Sequence, residues 1–202
     1  MLVSKDQIRV AKLAGTDDAR PLLQQVKVYK EDGKIVAVAT DSYILGEVIE
    51  PDNTSIDEYP LLPGGEKYGD PEEVLVPATV LTELGKKLKA KNTLPILGLG
   101  MVEKGKVITT DLDTTTTLSF QEIEGKYPDY RKLMDGFKNK GKVTLTINPK
   151  LLIRALSMFS EDSVQITIHV NSDGKVASLD PMLVTTDYAG VKKTAVIMPL
   201  KD

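Results

Sequence analysis

Ser4-Lys5-Asp6-Gln7-Ile8-Arg9 opens a pattern that turns at Asp32-Gly33-Lys34 and closes at Val38-Ala39-Thr40-Asp41. Its order is a capped amphipathic helix, a Gly-Lys hairpin turn, then an apolar strand ending in Thr-Asp. A second copy reads Pro77-Ala78-Thr79-Val80-Leu81, Lys104-Gly105-Lys106 and Thr110-Asp111. A third reads Asn148-Pro149-Lys150-Leu151-Leu152, Asp173-Gly174-Lys175 and Thr186-Asp187. Self-similarity over this length makes each copy one supersecondary unit. With helices backing strands in each copy, the fold class is α+β, built of repeated β-α-β-β-β modules whose helices pack on antiparallel sheets.

Local signals fix the elements. Ser4 and Gln7 make a capping box, in which a hydroxyl and an amide satisfy orphan backbone donors of the first turn. Ile8 and Ala11, with the Val10, Leu13 and Ala14 side, give that helix its apolar face, and Lys5, Arg9 and Lys12 fall on one opposite stripe. Residues 25–29 and 35–40 read as strands around the Asp32-Gly33 turn, with a further strand at 43–49. Pro51, Pro60, Pro63, Gly64, Gly65, Gly69 and Pro71 then predict a surface loop over 51–71.

Pro77 stands at the first position of the second helix, where a missing N–H costs nothing. Val80, Leu81, Leu84 and Leu88 make the buried stripe of that helix. Strands are expected at 96–102, 106–110 and 114–123, a polar connector at 124–142 and a strand at 143–147. Asn148 caps the third helix, and its Leu152, Ala155, Leu156 and Phe159 point one way. Residues 164–170 alternate as a strand, and 194–200 is the last one.

Length and composition narrow the function classes. The 202 residues are 41% hydrophobic and 27% charged, which is ordinary globular composition with length for a sizeable core. No apolar run approaches the roughly 18 residues of a membrane span, and the first ten residues lack a signal-peptide core. A cytoplasmic location is the expectation. The absence of cysteine excludes disulfides, thiolate metal sites and thiol nucleophiles. The formal charge of −3 argues against a generally basic nucleic-acid binder, yet the charge is segregated. The three helices carry Lys5, Arg9 and Lys12, then Lys86, Lys87 and Lys89, then Lys150 and Arg154, against only Asp6 and Glu83.

Three further stretches carry a resemblance. Gly125-Lys126-Tyr127-Pro128-Asp129-Tyr130-Arg131, after a Thr-rich strand, resembles the linker of bacterial DNA polymerase III beta subunits, the sliding clamps. Val38-Ala39-Thr40-Asp41-Ser42-Tyr43-Ile44-Leu45 resembles a segment in which that family has Thr-Asp followed by Gly, an aromatic or His, Arg and Leu. Ala195-Val196-Ile197-Met198-Pro199-Leu200-Lys201 is similar to its C-terminal Met-Pro strand. The order matches, on a repeat covering nearly the whole chain. The departures are that a clamp subunit has six modules where three stand here, and that Ser42 replaces a Gly and Ile44 an Arg.

The resemblance implies a shortened, divergent clamp. Its fold would be DNA-clamp-like, with a two-module domain at 1–134 carrying the 51–71 insertion, and a third module at 135–202 resembling the C-terminal half-domain. Its function would be that of a processivity factor that tethers replication proteins to duplex DNA, without catalysis and without a cofactor. Lys5, Arg9, Lys12, Lys86, Lys87, Lys89, Lys150 and Arg154 would face the duplex without reading sequence; the plainer reading is that they solvate exposed helices. A peptide groove for DNA polymerase and clamp-loader segments would be walled by Thr40, Ser42, Tyr43, Ile44 and Leu45, by Pro128 and Leu133, and by Val196, Met198, Pro199 and Leu200. The plainer reading makes Leu45, Leu133 and Val196 core and Met198-Pro199 a strand end. Clamp rings contain twelve modules, so a homo-oligomer of four chains, or of three, would close one, and an odd module count leaves a half-domain to pair across subunits. The alternative is a clamp-derived interaction module that binds such peptides without encircling DNA.

An enzyme reading would gather Asp41, Asp111, Asp113 and Asp187 around Mg²⁺. Equivalent positions of repeated modules should instead lie far apart, with Thr and Asp hydrogen-bonding the turns that follow them. His169 lacks a Ser or Cys partner, Gly98-Leu99-Gly100 is too short for a phosphate loop, and Thr114 to Thr117 is simply strand.

Overall fold

The computed structural model describes residues 1–52, 69–88, 98–111, 113–135, 145–160, 162–168, 181–188 and 191–198. Most of the 51–71 loop lies outside them, as do the Asp173-Gly174-Lys175 turn, Lys89, His169, Pro199 and Leu200. The chain divides into two units, Met1–Asp129 and Tyr130–Asp202.

The first unit holds two modules. Strand β1 (Leu2–Ser4) runs into helix α1 (Lys5–Ile8), and β2 (Gln25–Glu31), β3 (Lys34–Thr40) and β4 (Leu45–Pro51) follow. Then β5 (Glu73–Pro77) runs into α2 (Ala78–Lys87), followed by β6 (Leu99–Glu103), β7 (Lys106–Thr110) and β8 (Thr115–Ser119). The sheets have the orders β1-β6-β7-β8 and β4-β3-β2-β5. Each module therefore lends its leading strand to the other module's sheet. Leu2, Val3 and Ser4 pair with Met101, Gly100 and Leu99, while Val74 and Val76 of β5 pair with Val28 and Val26 of β2, all antiparallel. Neither module's sheet is complete without its sister.

The exchange buries one shared core. Val3, Ile8, Val10, Ala11, Val26, Val28, Ala37, Val74, Val76, Leu81, Leu84 and Val107 pack together. Leu81 and Leu84 are essentially inaccessible, and each such side chain contributes about 1.5–3 kcal/mol of transfer free energy. The Asp32-Gly33 hairpin takes the two left-handed residues that a two-residue turn requires, φ +50° and +69°.

Several elements differ from their sequence reading. The first helix is a single α turn that tightens into a 3-10 helix over Arg9–Leu13. With three residues per turn, Arg9 and Lys12 eclipse on the outside while Val10 and Ala11 stay buried. Pro77 is the N-cap rather than the first helical residue, because its ψ of 130° still belongs to β5. The strand expected at 43–49 begins at Leu45, since residues 41–44 form a hydrogen-bonded turn. Likewise β8 covers only Thr115–Ser119 of the expected 114–123. β1 carried no sequence signal of its own, and its pairing partner lies about a hundred residues away.

In the second unit, helix α3 (Tyr130–Asp135) occupies part of the expected polar connector. Helix α4 (Pro149–Leu156) follows, capped by the Asn148 side chain on the Lys150 amide. Strands β9 (Gln165–Ile168), β10 (Met182–Tyr188) and β11 (Val191–Ile197) form a sheet in the order β11-β10-β9. Met182, Val184, Ala195 and Ile197 are its buried residues, with Leu151, Leu152, Ala155 and Phe159 packed on them. Residues 145–147, part of the strand expected at 143–147, lead into the cap with Leu145 and Ile147 packed on that core, but make no ladder among the described residues. β9 was expected to alternate between buried and exposed, yet all four of its residues are exposed.

Candidate DNA-facing helices and docking turn

The capping box forms as read. Ser4 Oγ accepts from the Asp6 and Gln7 amides, and the Ser4 amide donates to Gln7 Oε1 at 3.0 Å. Gln7 is 1% exposed and its Nε2 donates to the Ile35 carbonyl at 2.8 Å, so the helix start is bolted to β3. That anchor turns Lys5, Arg9 and Lys12 outward, and all three are exposed. Lys86 and Lys87 are exposed at the end of α2.

The two helices meet along an open cleft of about 610 Å³ whose lining includes Lys12, Thr16, Gln24, Thr79, Thr82 and Lys86, with Asp18 the acid among them. Part of the charge is compensated locally. Arg9 pairs with Asp6, and Lys86 and Lys87 share Glu83. Lys5 and Lys12 have no ion pair among the described residues. In the second unit Lys150 and Arg154 are exposed on α4.

The Thr40-Asp41 corner is a tight hydrogen-bonded turn. Thr40 Oγ1 donates to the Ile44 carbonyl at 2.7 Å, and Asp41 Oδ1 accepts from the Tyr43 and Ile44 amides, both at 2.8 Å. Those amides hold the Asp41 carboxyl below the usual carboxylate range. Ser42 sits at φ +86°, the left-handed region that favours glycine, which accounts physically for the glycine expected at that position. Its hydroxyl accepts from Arg20 Nη1 at 3.0 Å. The turn lifts Tyr43 to 92% exposure and Ile44 to 49%, a pair of apolar side chains displayed in water.

Thr110-Asp111 builds the same turn. Thr110 Oγ1 donates to the Thr114 carbonyl, and Asp111 Oδ1 accepts from the Thr114 amide. Thr114 stands there where Ile44 stands in the first module. The Asp41 and Asp111 carboxylates thus serve their own turns, whereas Thr186 and Asp187, expected to close the third copy's strand, lie within β10 opposite Lys193 and Lys192 and make no such corner. Among the described residues no three metal-ligating side chains gather. Gly100 lies on β6, where a Cβ would come within 2.6 Å of Leu84 Cδ2, so close helix packing explains that glycine.

Other expected groove residues fall as follows. Leu45 is half-buried and Pro128 exposed in the first unit. In the second, Val196 and Met198 are 58% and 53% exposed, which removes the core reading for Val196. Leu133 lies on α3, with its side chain outside the described set. Tyr127 of the linker motif is buried, its hydroxyl donating over 3.4 Å to the Gln25 carbonyl, and burial pushes its pKa up to about 12. Sequence reasoning missed Arg20 as a partner of the Thr40-Asp41 turn. It is 22 residues from Ser42, and no local signal joins them.

Strand-exchanged modules with their helices packed on antiparallel sheets define a clamp-type α+β domain. The chain is a divergent relative of the bacterial beta sliding clamps. It is 31% identical over 182 residues to the "Beta sliding clamp" of Buchnera aphidicola, covering 88% of this chain and 43% of that protein. Among solved structures, the DNA polymerase sliding clamp of Bacillus subtilis matches all of this chain and 49% of its own length, with a TM-score of 0.63 at 16% identity. The beta sliding clamp of C. crescentus gives a TM-score of 0.61 at 20% identity, over all of this chain and 50% of that one. These structures show the shared fold. The chain spans about half the length of the clamps it matches. No protein-family model matches it.

Proposed function

We propose that this chain is a sliding-clamp-type processivity factor, which holds duplex DNA without reading its sequence and docks replication proteins through short peptides. It performs no catalysis and requires no cofactor. The observation that carries the reading is the kinship over 88% of the chain, joined to two packed helical segments whose Lys12 and Lys86 line one cleft. Phosphate attraction is long-range and insensitive to base identity, so such a surface retains DNA while permitting sliding.

Lys5, Arg9, Lys87 and Lys89 extend that surface in this reading, and Lys150 and Arg154 are the DNA-facing residues of the second unit. In this reading the peptide-binding residues are Thr40, Ser42, Tyr43, Ile44, Leu45 and Pro128 in the first unit, and Leu133, Val196, Met198, Pro199 and Leu200 in the second. A docked polymerase gains effective concentration at the primer end. A ring of four chains, or of three, encloses the duplex.

The intrahelical pairs of Arg9 with Asp6 and of Lys86 and Lys87 with Glu83 favour a second reading, in which the positive field is too weak for DNA and the chain is a peptide-binding adaptor. Titration of a duplex fragment separates the two. Sequence-independent binding that weakens steeply with salt supports the clamp; peptide binding with no DNA affinity at low salt supports the adaptor.

A further inference from the structure

For the strand edge that the second unit leaves open among its described residues, the first unit supplies a template. There, the residue that caps each helix pairs with the first residue of the strand that follows the sister module's helix. Pro77 faces Gln25, and Ser4 faces Leu99. Val76 then faces Val26 and Val74 faces Val28, and these four valines are at most 3% exposed.

The second unit carries both halves of this arrangement. Asn148 caps α4, and residues 145–147 lead into it without a ladder partner among the described residues. Among the described residues, β9 pairs with β10 on one side and with nothing on the other. Its Ile166 and Ile168, which occupy the places of Val26 and Val28, are 56% and 37% exposed. On α4, Leu156 is exposed at the position that Gly85 holds on α2, counted from the cap, where a Cβ would meet the sister module's Ile8 at 3.0 Å.

We infer that the second unit completes itself with a second copy of this chain by reciprocal strand exchange. Residues 145–148 of each copy add antiparallel to the outer edge of the other copy's β9. Applying the template register places Asn148 opposite Gln165, Ile147 opposite Ile166, Thr146 opposite Thr167 and Leu145 opposite Ile168. Apolar then meets apolar and polar meets polar at every step, as cross-strand pairing requires.

A second copy is the occupant because one surface carries both the donor strand and the acceptor edge. A two-fold interface satisfies both at once with no further chain, which is the self-complementarity of an isologous contact. It also removes an exposed edge strand bearing two isoleucines, a known aggregation liability. The inference does not depend on DNA binding; because it pairs chains by twos, it fits a ring of four and excludes a ring of three.

The absence of native cysteine allows a direct test. Ile147→Cys and Ile166→Cys are made as separate full-length variants, checked for native circular dichroism, then mixed and mildly oxidised. The expected result is a covalent dimer in the mixture, with neither variant alone giving more than a trace, and a wild-type chain that light scattering finds dimeric or larger. Should either substitution unfold the chain, pairing Thr146→Cys with Thr167→Cys asks the same question at the neighbouring register. A wild-type monomer across the concentration range, or cross-linking no greater in the mixture than in the single variants, would overturn the proposal.

Discussion

Ser42 shows how one residue records both kinship and cost. A non-glycine side chain at φ +86° is strained, and such positions cost on the order of 1 kcal/mol. Ser42→Gly should therefore raise unfolding free energy by about 1 kcal/mol, less whatever the exposed Arg20 contact contributes, as read by urea denaturation. A loss of stability would mean that the Arg20 bond outweighs the strain. Asp41 makes the same turn acid-sensitive. Its folded pKa lies below the ordinary 3.8, so its contribution is present above that value and is lost as pH falls through the folded one. The Tyr43 and Ile44 amide resonances should follow a single transition with a midpoint below 3.8, absent in Asp41→Asn. Tyr127 acts at the opposite end of the scale. Its pKa is raised from 10.0 to about 12, so stability is intact below 10.0 and falls as pH rises toward 12. Tyr127→Phe should flatten that alkaline slope in thermal melts. The conformational demand at Ser42 was not legible from the residue itself, because positive φ is imposed by the four hydrogen-bonded residues around it.

At the scale of the element, the start of the first helix is held by buried polar bonds rather than by length. A single α turn is far below what stands alone. Gln7→Ala would remove the two buried bonds, to the Ile35 carbonyl and from the Ser4 amide, and should cost about 2–3 kcal/mol, whereas Ser4→Ala should cost about 1. Equal costs would deny Gln7 its bolt to β3. This capping box was legible because its partners lie three residues apart. The tightening to a 3-10 helix was not, since the apolar spacing of Val10, Ala11 and Leu13 suits either helix. For function, Lys12→Glu with Lys86→Glu should lower duplex affinity at least tenfold and reduce the salt slope by about 2 or more, while peptide binding is unchanged. Parallel loss of both activities would refute a division between DNA-facing helices and docking turn.

For the whole molecule, the repeat could be read from sequence because the first two modules share a Gly-Lys hairpin turn and a Thr-Asp corner, and the third begins on an Asn148-capped helix. Thr186-Asp187 misled, since it lies within β10. The assembly of modules could not. β1 and β5 pair across the module boundary, and nothing local to Leu2-Val3-Ser4 says that its partner is Leu99-Gly100-Met101. For the same reason the exposed Ile166 and Ile168 read in sequence as an ordinary half-buried strand. Only the structure, in which the edge beside them has no partner among the described residues, separates them from the buried Val26 and Val28. At the candidate site, the basic residues could be placed on helices from sequence, but the cleft shared by Lys12 and Lys86 follows from packing between modules.

The central claim is that these modules hold DNA topologically. Its most direct test is retention of the chain on nicked circular duplex, washed at high salt, before and after a single cut linearises the DNA. The account predicts salt-resistant retention on the circle and rapid release from the linear form, because a ring slides off a free end. Equal retention, or equal release, from circular and linear DNA would contradict it.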